Sequence, residues 1–266
     1  MGRSIQFQGK KIGYECQGEG NAIVLLHGFI ESRRIWKDFI SWLSRDFRVL
    51  AIDLPGHGDS EVVADVHSMK LMAETVNAVM ADSGIPRAVI VGHSMGGYVS
   101  LEFGELFPEK VTGIVLFHSQ AAPDSEEAKV NRQRTIKIVE QNRAGFIKQF
   151  IPDLFDRNHV KNYVQVIRFL IEEASRMSPQ GIIAAISGMR DRNGSLDYLR
   201  TAAQPFLFIA GKQDTRIPCK LVLEQAAIPS HSEFLILSDV GHMGYIEAPE
   251  VTFQAVRHFA LKCVEE

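Results

Sequence analysis

The stretch VIVGHSMGGYVSLEFGELFP, residues 89–108, decides the fold. It opens as an unbroken apolar run, breaks at Gly92, carries one hydroxyl at Ser94 and crowds Gly96 and Gly97 behind it. Apolar residues without alternation read as a strand buried on both faces of a parallel sheet. The part after the serine reads as a helix over 95–107, closed by Pro108. A turn needs one glycine and a helix start needs one cap, so three glycines around one serine exceed both needs. A strand that reverses into a helix this tightly has no room for side chains at Gly92 and Gly96.

Outward from this stretch, short apolar runs alternate with longer amphipathic ones. AIVLLHG (22–28), FRVLAIDL (47–54), AVIVGHS (88–94), VTGIVLFHS (111–119), PFLFIAG (205–211) and EFLILSDVGH (233–242) read as strands. Helical patterns cover 32–43, with Trp36, Phe39, Ile40 and Leu43 on one face, then 67–82 and 95–107. A last one spans 250–263, with Val251, Ala255 and Phe259 along one stripe. This alternation predicts an α/β fold with a mostly parallel sheet covered by helices on both faces. SIQFQ and KIGYECQGEG alternate in polarity and predict an antiparallel edge hairpin. From 121 to about 200 the rhythm stops. SEEAKVNRQRTIKIVEQ, GFIKQFIPDLF and VKNYVQVIRFLIEEASRM are helical, so 121–200 is expected as an all-helical insertion into a core made of 1–120 and 201–266. Within it, Arg132, Arg134 and Lys137, with Glu140 close behind, read as a solvated helix face.

The chain has 266 residues, 45% of them hydrophobic, and a net charge of −3, which supplies no electrostatic footprint for nucleic acid or an anionic membrane. A small-molecule partner is expected instead. Cys16, Cys219 and Cys263 are odd in number and far apart, which argues against a disulfide framework or a zinc site and suits a reducing compartment. MGRSIQFQGKKIGYE has no apolar core of a secretory signal, and no run approaches the ~18 residues of a membrane span. The expectation is a soluble, cytoplasmic protein, in which the NGS sequon at Asn193 is chance. QGEG at 17–20 precedes a strand instead of opening a helix, so no dinucleotide turn is read and no organic cofactor or metal is expected.

Ser94 lies where groups collect in such sheets, beyond the carboxyl end of a strand. The helix behind it offers free N–H groups and positive potential where negative charge develops. G-x-S-x-G between strand and helix has the pattern of a nucleophile elbow. A serine needs a base held by an acid. His242, just past the last strand, is placed to be that base. His27, His57 and His93 sit in glycine-rich loops and read as loop-shaping donors, His118 as a pocket residue, and His67, His159, His231 and His258 as surface histidines. For the acid, Asp214 follows the strand ending at Gly211; Asp239 is a weaker choice, and Asp53 reads as an organiser of its own loop. LLHGF places the Phe29 amide to converge with that of Met95 on one oxyanion.

HGF, DLPGHGDS, GHSMGG, GKQDTRIP and GHMGYIEAPE together resemble the recurring segments of α/β-hydrolase fold serine hydrolases, over nearly the whole chain. The resemblance implies a Ser94–Asp214–His242 triad, an oxyanion hole from Phe29 and Met95, and a helical cap over the site. It implies hydrolysis of a small, largely apolar ester, lactone or thioester through an acyl-enzyme. The alternatives are a carbon–carbon bond hydrolase, a cofactor-free haloperoxidase-like perhydrolase, and a non-catalytic ligand receptor. A serine nucleophile departs from the haloalkane dehalogenases and epoxide hydrolases, and HGFIES stands where the carbon–carbon hydrolases carry a longer glycine-rich segment. Phe146, Phe150, His118 and Met243 are the expected substrate-binding residues. Phe155, Tyr163 and Met189 face either the cap's own core or the pocket.

Overall fold

The apolar runs become the strands of one sheet. The computed structural model describes residues 2–265. Its strands are β1 (Arg3–Phe7), β2 (Lys10–Gln17), β3 (Ala22–Leu26), β4 (Arg48–Ile52), β5 (Ala88–His93), β6 (Val111–Phe117), β7 (Phe206–Gly211) and β8 (Ser232–Leu237). They lie in the order β1-β2-β4-β3-β5-β6-β7-β8. β2 pairs antiparallel with β1 and β4, and every other pair is parallel. The edge hairpin turns on Gln8 and Gly9, at φ 50° and 74°, the two positive values that a tight hairpin turn of the right twist requires. β3 and β5, at the centre, are buried along their whole length.

The helices are α1 (Lys37–Leu43), α2 (Met69–Asp82), α3 (Met95–Leu106), α4 (Glu126–Phe150), α5 (Val164–Ala174), α6 (Pro179–Arg190), α7 (Leu196–Thr201), α8 (Cys219–Ala226), α9 (Gly244–Glu247) and α10 (Pro249–Glu265). A Cβ on Gly113 would meet Phe259 of α10, while its neighbour Ile114 reaches Gly104 of α3. Successive strand residues point to opposite faces, so α3 and α10 cover opposite sides of the sheet. On the α10 side, α1 joins through Phe39 and Trp42, whose rings lie 6.1 and 5.0 Å from that of Phe253.

Three local expectations change. The helix expected at 32–43 begins as a 3-10 turn, Arg33–Trp36, before α1. β8 ends at Leu237, not at His242, because the chain folds across the end of β7: Val240 O accepts from Gln213 N (3.0 Å), and a Cβ on Gly211 would lie 2.2 Å from that oxygen. The buried stripe of α10 is Thr252, Val256, Phe259 and Ala260, whereas Val251 is 53% exposed. Thr252 is tolerated inside because its hydroxyl donates to Ala248 O at 2.8 Å.

Between β6 and β7 the described residues form α4 to α7 and no strand. α4 kinks at Asn142 (φ −153°, ψ 69°), whose Oδ1 accepts from Gly145 N at 2.9 Å and so caps the helix's second half. α6 seats on the loop before α2. His67 N donates to Ala184 O (3.0 Å), and a Cβ added at Gly188 would stand 1.7 Å from His67 O. His67 is therefore buried, not a surface histidine, and burial lowers its pKa to about 4. Its Nε2 accepts from Val63 N at 3.2 Å. Among the described residues no helix is long and apolar enough to cross a membrane.

Gly188→Ala drives a methyl group into backbone that cannot rotate away. Overpacking of this kind costs about 1–3 kcal/mol or more, so a melting temperature lowered by roughly 5 °C is expected in thermal denaturation. An unchanged melting point would show that α6 does not rest on the loop at this position.

Candidate active site

β5 ends at His93 and α3 begins at Met95, so Ser94 alone makes the reversal, at φ 50° and ψ −113°. A non-glycine residue there stores about 1–3 kcal/mol of strain and persists only where its surroundings over-determine it. They do. Ser94 N donates to Phe117 O (2.9 Å), and Ser94 O accepts from Gly97 N (2.9 Å) and from Ser119 Oγ (2.7 Å). A Cβ at Gly92 would lie 2.3 Å from Gly96 O, and one at Gly96 would lie 2.5 Å from Leu26 O. Both positions are closed to any side chain, as their spacing predicted.

Asp214 stands in the loop after β7 with both carboxylate oxygens engaged. Oδ1 accepts from Arg216 N (2.8 Å) and Ile217 N (3.0 Å), closing a turn of the chain on its own side chain. Oδ2 lies 2.7 Å from His242 Nδ1 and 3.1 Å from His118 Nδ1. Burial alone would raise this carboxyl, but the His242 charge and the two histidine hydrogen bonds hold it far below the usual carboxylate range. An ionised carboxylate only accepts, so both histidines carry their proton on Nδ1. His242 Nε2 makes no hydrogen bond to another described residue.

His118 does not line the cavity that contains Ser94 and His242. It is buried behind Asp214, where burial lowers its pKa to about 4 despite that hydrogen bond, and its Nε2 has no partner. His118 has a positive φ of 48°, and its ring reaches Asp214 from within the buried interior. Met243 is also absent from the cavity wall: its side chain is fully buried, with Sδ 3.8 Å from the Tyr245 hydroxyl. The ligand-type atoms of His118, Asp214 and His242 lie within 4.8 Å of one another. Among these atoms, Asp214 Oδ2 and the two Nδ1 atoms are engaged with one another.

The amides of Phe29 and Met95 have no protein acceptor among the described residues. The turn that carries Phe29 is held by a side chain that the sequence reading passed over. Buried Glu31 accepts from Gly28 N (2.6 Å), from the Tyr245 hydroxyl (3.0 Å) and from His93 Nδ1 (2.9 Å). Its neighbour Ile30 sits at φ 54°, a strained value for a β-branched residue. His93 Nε2 in turn lies 2.9 Å from His242 O, so one buried network ties the Phe29 turn to the backbone of His242. Burial would raise Glu31, but the His93 charge outweighs it and lowers the carboxyl; burial would lower His93, and Glu31 raises it instead. A carboxylate three residues after an HG turn is the signal that would have marked it.

Other candidates stand as read. Buried Asp53 accepts from Arg33 N (2.7 Å) and Asp59 N (2.9 Å) and pairs with the Arg33 guanidinium, organising its loop. Asp239 is exposed. His27 bridges Gly28 O (2.8 Å) and Leu54 N (3.0 Å).

Ser94, His242 and Phe29 share the wall of a cavity of about 540 Å³. Phe146 and Phe150 of α4 form its roof: the Phe150 ring meets Phe29 edge-on at 5.7 Å, and the Phe146 ring lies 6.3 Å from it. Ile186 and Met189 of α6, with Ile217 and Leu221, add apolar wall. Phe155 and Tyr163 stack on each other at 5.2 Å outside it. The far end is polar. Arg134, Lys137 and Glu140 face solvent as expected, but Arg132 turns inward and pairs with Asp124, since that carboxylate and Met189 lie on its side of α4. Asp124 also takes Arg192 (2.5 Å), whose guanidinium lies 4.0 Å over the Tyr98 ring.

A family model described as alpha/beta hydrolase fold matches residues 21–249, and the chain belongs to that family. It is 32% identical to an esterase from Thermogutta terrifontis, solved with malate bound, with a TM-score of 0.93 over 99% of each chain. It is 31% identical over 257 residues to the dihydrolipoyllysine-residue acetyltransferase component of the acetoin cleaving system of Pseudomonas putida, covering 94% of this chain and 66% of that relative. A pimeloyl-acyl-carrier-protein methyl ester esterase of Aeromonas hydrophila is 25% identical over 93% of this chain and 98% of its own.

The Glu31–His93 pair sets a pH window for stability. A lowered carboxyl contributes stability above its unfolded value of 4.5 and loses it as pH falls through the folded value. A raised histidine contributes below its unfolded value of 6.5 and loses it as pH rises through the folded value. The melting-temperature gap between wild type and Glu31→Gln is therefore expected to be widest between these two values and to narrow on either side. A gap independent of pH from 4 to 9 would contradict the ion pair.

Proposed function

We propose that this chain, an ester hydrolase of the family, cleaves small, largely apolar carboxylic esters, lactones or thioesters through an acyl-enzyme on Ser94. The observation that carries the reading is the pair of histidine contacts on Asp214, which fixes the His242 proton on Nδ1 and leaves Nε2 free in the cavity wall with Ser94. His242 Nε2 takes the Ser94 proton as the oxygen attacks the acyl carbon. The carbonyl oxygen becomes an oxyanion and accepts from the Phe29 and Met95 amides, which await an acceptor. His242 then gives its proton to the departing alcohol, and water repeats the sequence on the acyl-serine. Asp214 stays ionised and stabilises the imidazolium formed in each half.

Residues 121–200 act in this reading as the cap that selects the acyl group. Phe146 and Phe150 support it by contacting Phe29, the residue that supplies one oxyanion donor. An acyl chain leaving the carbonyl carbon meets these rings next, and cavities of this size take most of their affinity from such apolar walls.

With p-nitrophenyl esters as substrates, Ser94→Ala is expected to lose several orders of magnitude in kcat while keeping its melting temperature. A loss below about tenfold would remove Ser94 from the chemistry. Phe146→Ala or Phe150→Ala is expected to change the ratio of kcat/KM between long and short acyl esters by roughly tenfold or more, the discrimination that a lost pocket contact carries. If these rings pack only within the helical segment, the melting temperature falls and the ratio stays where it was.

A further inference from the structure

Arg216 is the cavity charge that the mechanism leaves unused. Its backbone amide closes the turn on Asp214, while the carbon of its guanidinium lies over the Phe150 ring, 4.6 Å from the centroid. Among the described residues no acceptor lies within hydrogen-bond distance of that guanidinium. The nearest carboxylate, Asp153, is 3.9 Å away and half exposed to water. The Arg216 side chain is itself 38% exposed to water; its covered part lowers the pKa, yet a guanidinium remains charged at any ordinary pH.

The carboxylates of the wall are already paired. Glu31 is held by His93, and Asp124 sits between Arg132 and Arg192, which leaves that trio one positive charge in excess. The cavity thus has an apolar middle and a surplus of positive charge, and its one loosely engaged cation carries five N–H donors fixed in a planar fork. Arg216 is two ring contacts from the oxyanion turn, through Phe150 to Phe29. These two contacts lead from the Phe29 turn, in the same cavity wall as Ser94, to the guanidinium.

We propose that Arg216 binds a carboxylate at the far end of the acyl chain, so that the preferred substrates are monoesters of dicarboxylic acids. The proposal rests on the ester-hydrolase reading of Ser94 and extends it. The apolar walls hold the methylene chain, and the guanidinium receives the terminal carboxylate in a bidentate, charge-assisted pair. A neutral ester of equal length leaves the guanidinium with Asp153 and water, and so gains nothing from it. Arg216 acts on substrate placement and takes no part in proton transfer.

The test compares monomethyl adipate with methyl hexanoate, which share a six-carbon acyl chain and differ in the terminal carboxylate. Monomethyl succinate and monomethyl suberate bracket the length. Wild type, Arg216→Met and Arg216→Lys are assayed, with melting temperatures recorded, and the Kd of each ester is measured by calorimetry on the Ser94→Ala background. Wild type is expected to favour the best-fitting monoester over its neutral counterpart. Arg216→Met should lower kcat/KM for that monoester by about tenfold or more, chiefly through KM, while the neutral ester changes by less than about threefold. Arg216→Lys should restore part of the preference, since it keeps the charge without the fork. Removing the competing carboxylate in Asp153→Asn should strengthen the preference. Equal losses on both esters in Arg216→Met, or a charge preference that does not move with Arg216, would overturn the proposal. If no ester is turned over but the Ser94→Ala protein binds monoesters more tightly than neutral esters in an Arg216-dependent way, anion binding stands and the hydrolase reading falls.

Discussion

One strained residue organises the molecule around it. Ser94 holds a left-handed backbone conformation that no serine adopts unaided, and three elements share the work of keeping it there. β6 supplies the Phe117 carbonyl, the first turn of α3 supplies the Gly97 amide, and the segment after β6 supplies the Ser119 hydroxyl. Gly92 and Gly96 let β3, β5 and α3 approach until backbone touches backbone. The central strands that flank the bend are buried along their whole length. Strain at a reactive residue is stable only when the fold can absorb it, and here the most rigid part of the sheet does so.

The charges around the bend are arranged so that no buried ion is left alone. Asp214 meets two histidines and two backbone amides, which occupy both oxygens and dictate the tautomers of His118 and His242. Glu31 meets one amide, one hydroxyl and one histidine, and that histidine reaches the carbonyl of His242. The two buried carboxylates are therefore linked through the His242 residue itself, one to its ring and the other to its backbone. The turn carrying Phe29 is joined to the His242 backbone by a route three hydrogen bonds long. Satisfied networks of this kind rigidify a site, whereas a network missing one member costs more than an apolar core would.

The legible part of the sequence was the part governed by local rules. Glycine spacing around Ser94 reported a steric fact about three adjacent backbones, and unbroken apolar runs reported two-sided burial of strands. That Asp214 and His242 meet was readable because each follows a strand end, where topology limits what they can reach. Residues whose environment comes from the far side of the molecule were not readable. His67 looked like a loop histidine until α6 was laid across it. Arg132 looked like one more charge on a polar helix, and nothing in α4 alone says that Asp124 and Met189 wait on its inner side. His118 ends a strand as a pocket residue would, but at its positive φ the ring reaches Asp214 from within the buried interior, and backbone sign is not written in side-chain type. Val251 and Thr252 exchanged places because hydropathy ranks valine above threonine, while burial ranks them by whether the hydroxyl finds an acceptor.

The loop after β7 shows how little chain is needed to join chemistry to selection. Asp214 folds the next three residues around its own Oδ1, and the amides it binds belong to Arg216 and Ile217. Both of those residues then enter the cavity wall. The carboxylate that holds the His242 ring is thus also the post on which the wall is hung. A substitution at Asp214 disturbs two things at once, the imidazole and the position of the guanidinium over Phe150. The converse does not hold, since the Arg216 side chain leaves from a backbone whose amide bond to Asp214 is indifferent to what that side chain is. The side chain at position 216 can therefore be changed while the hydrogen bonds of Asp214 and His242 and the bend at Ser94 keep their geometry.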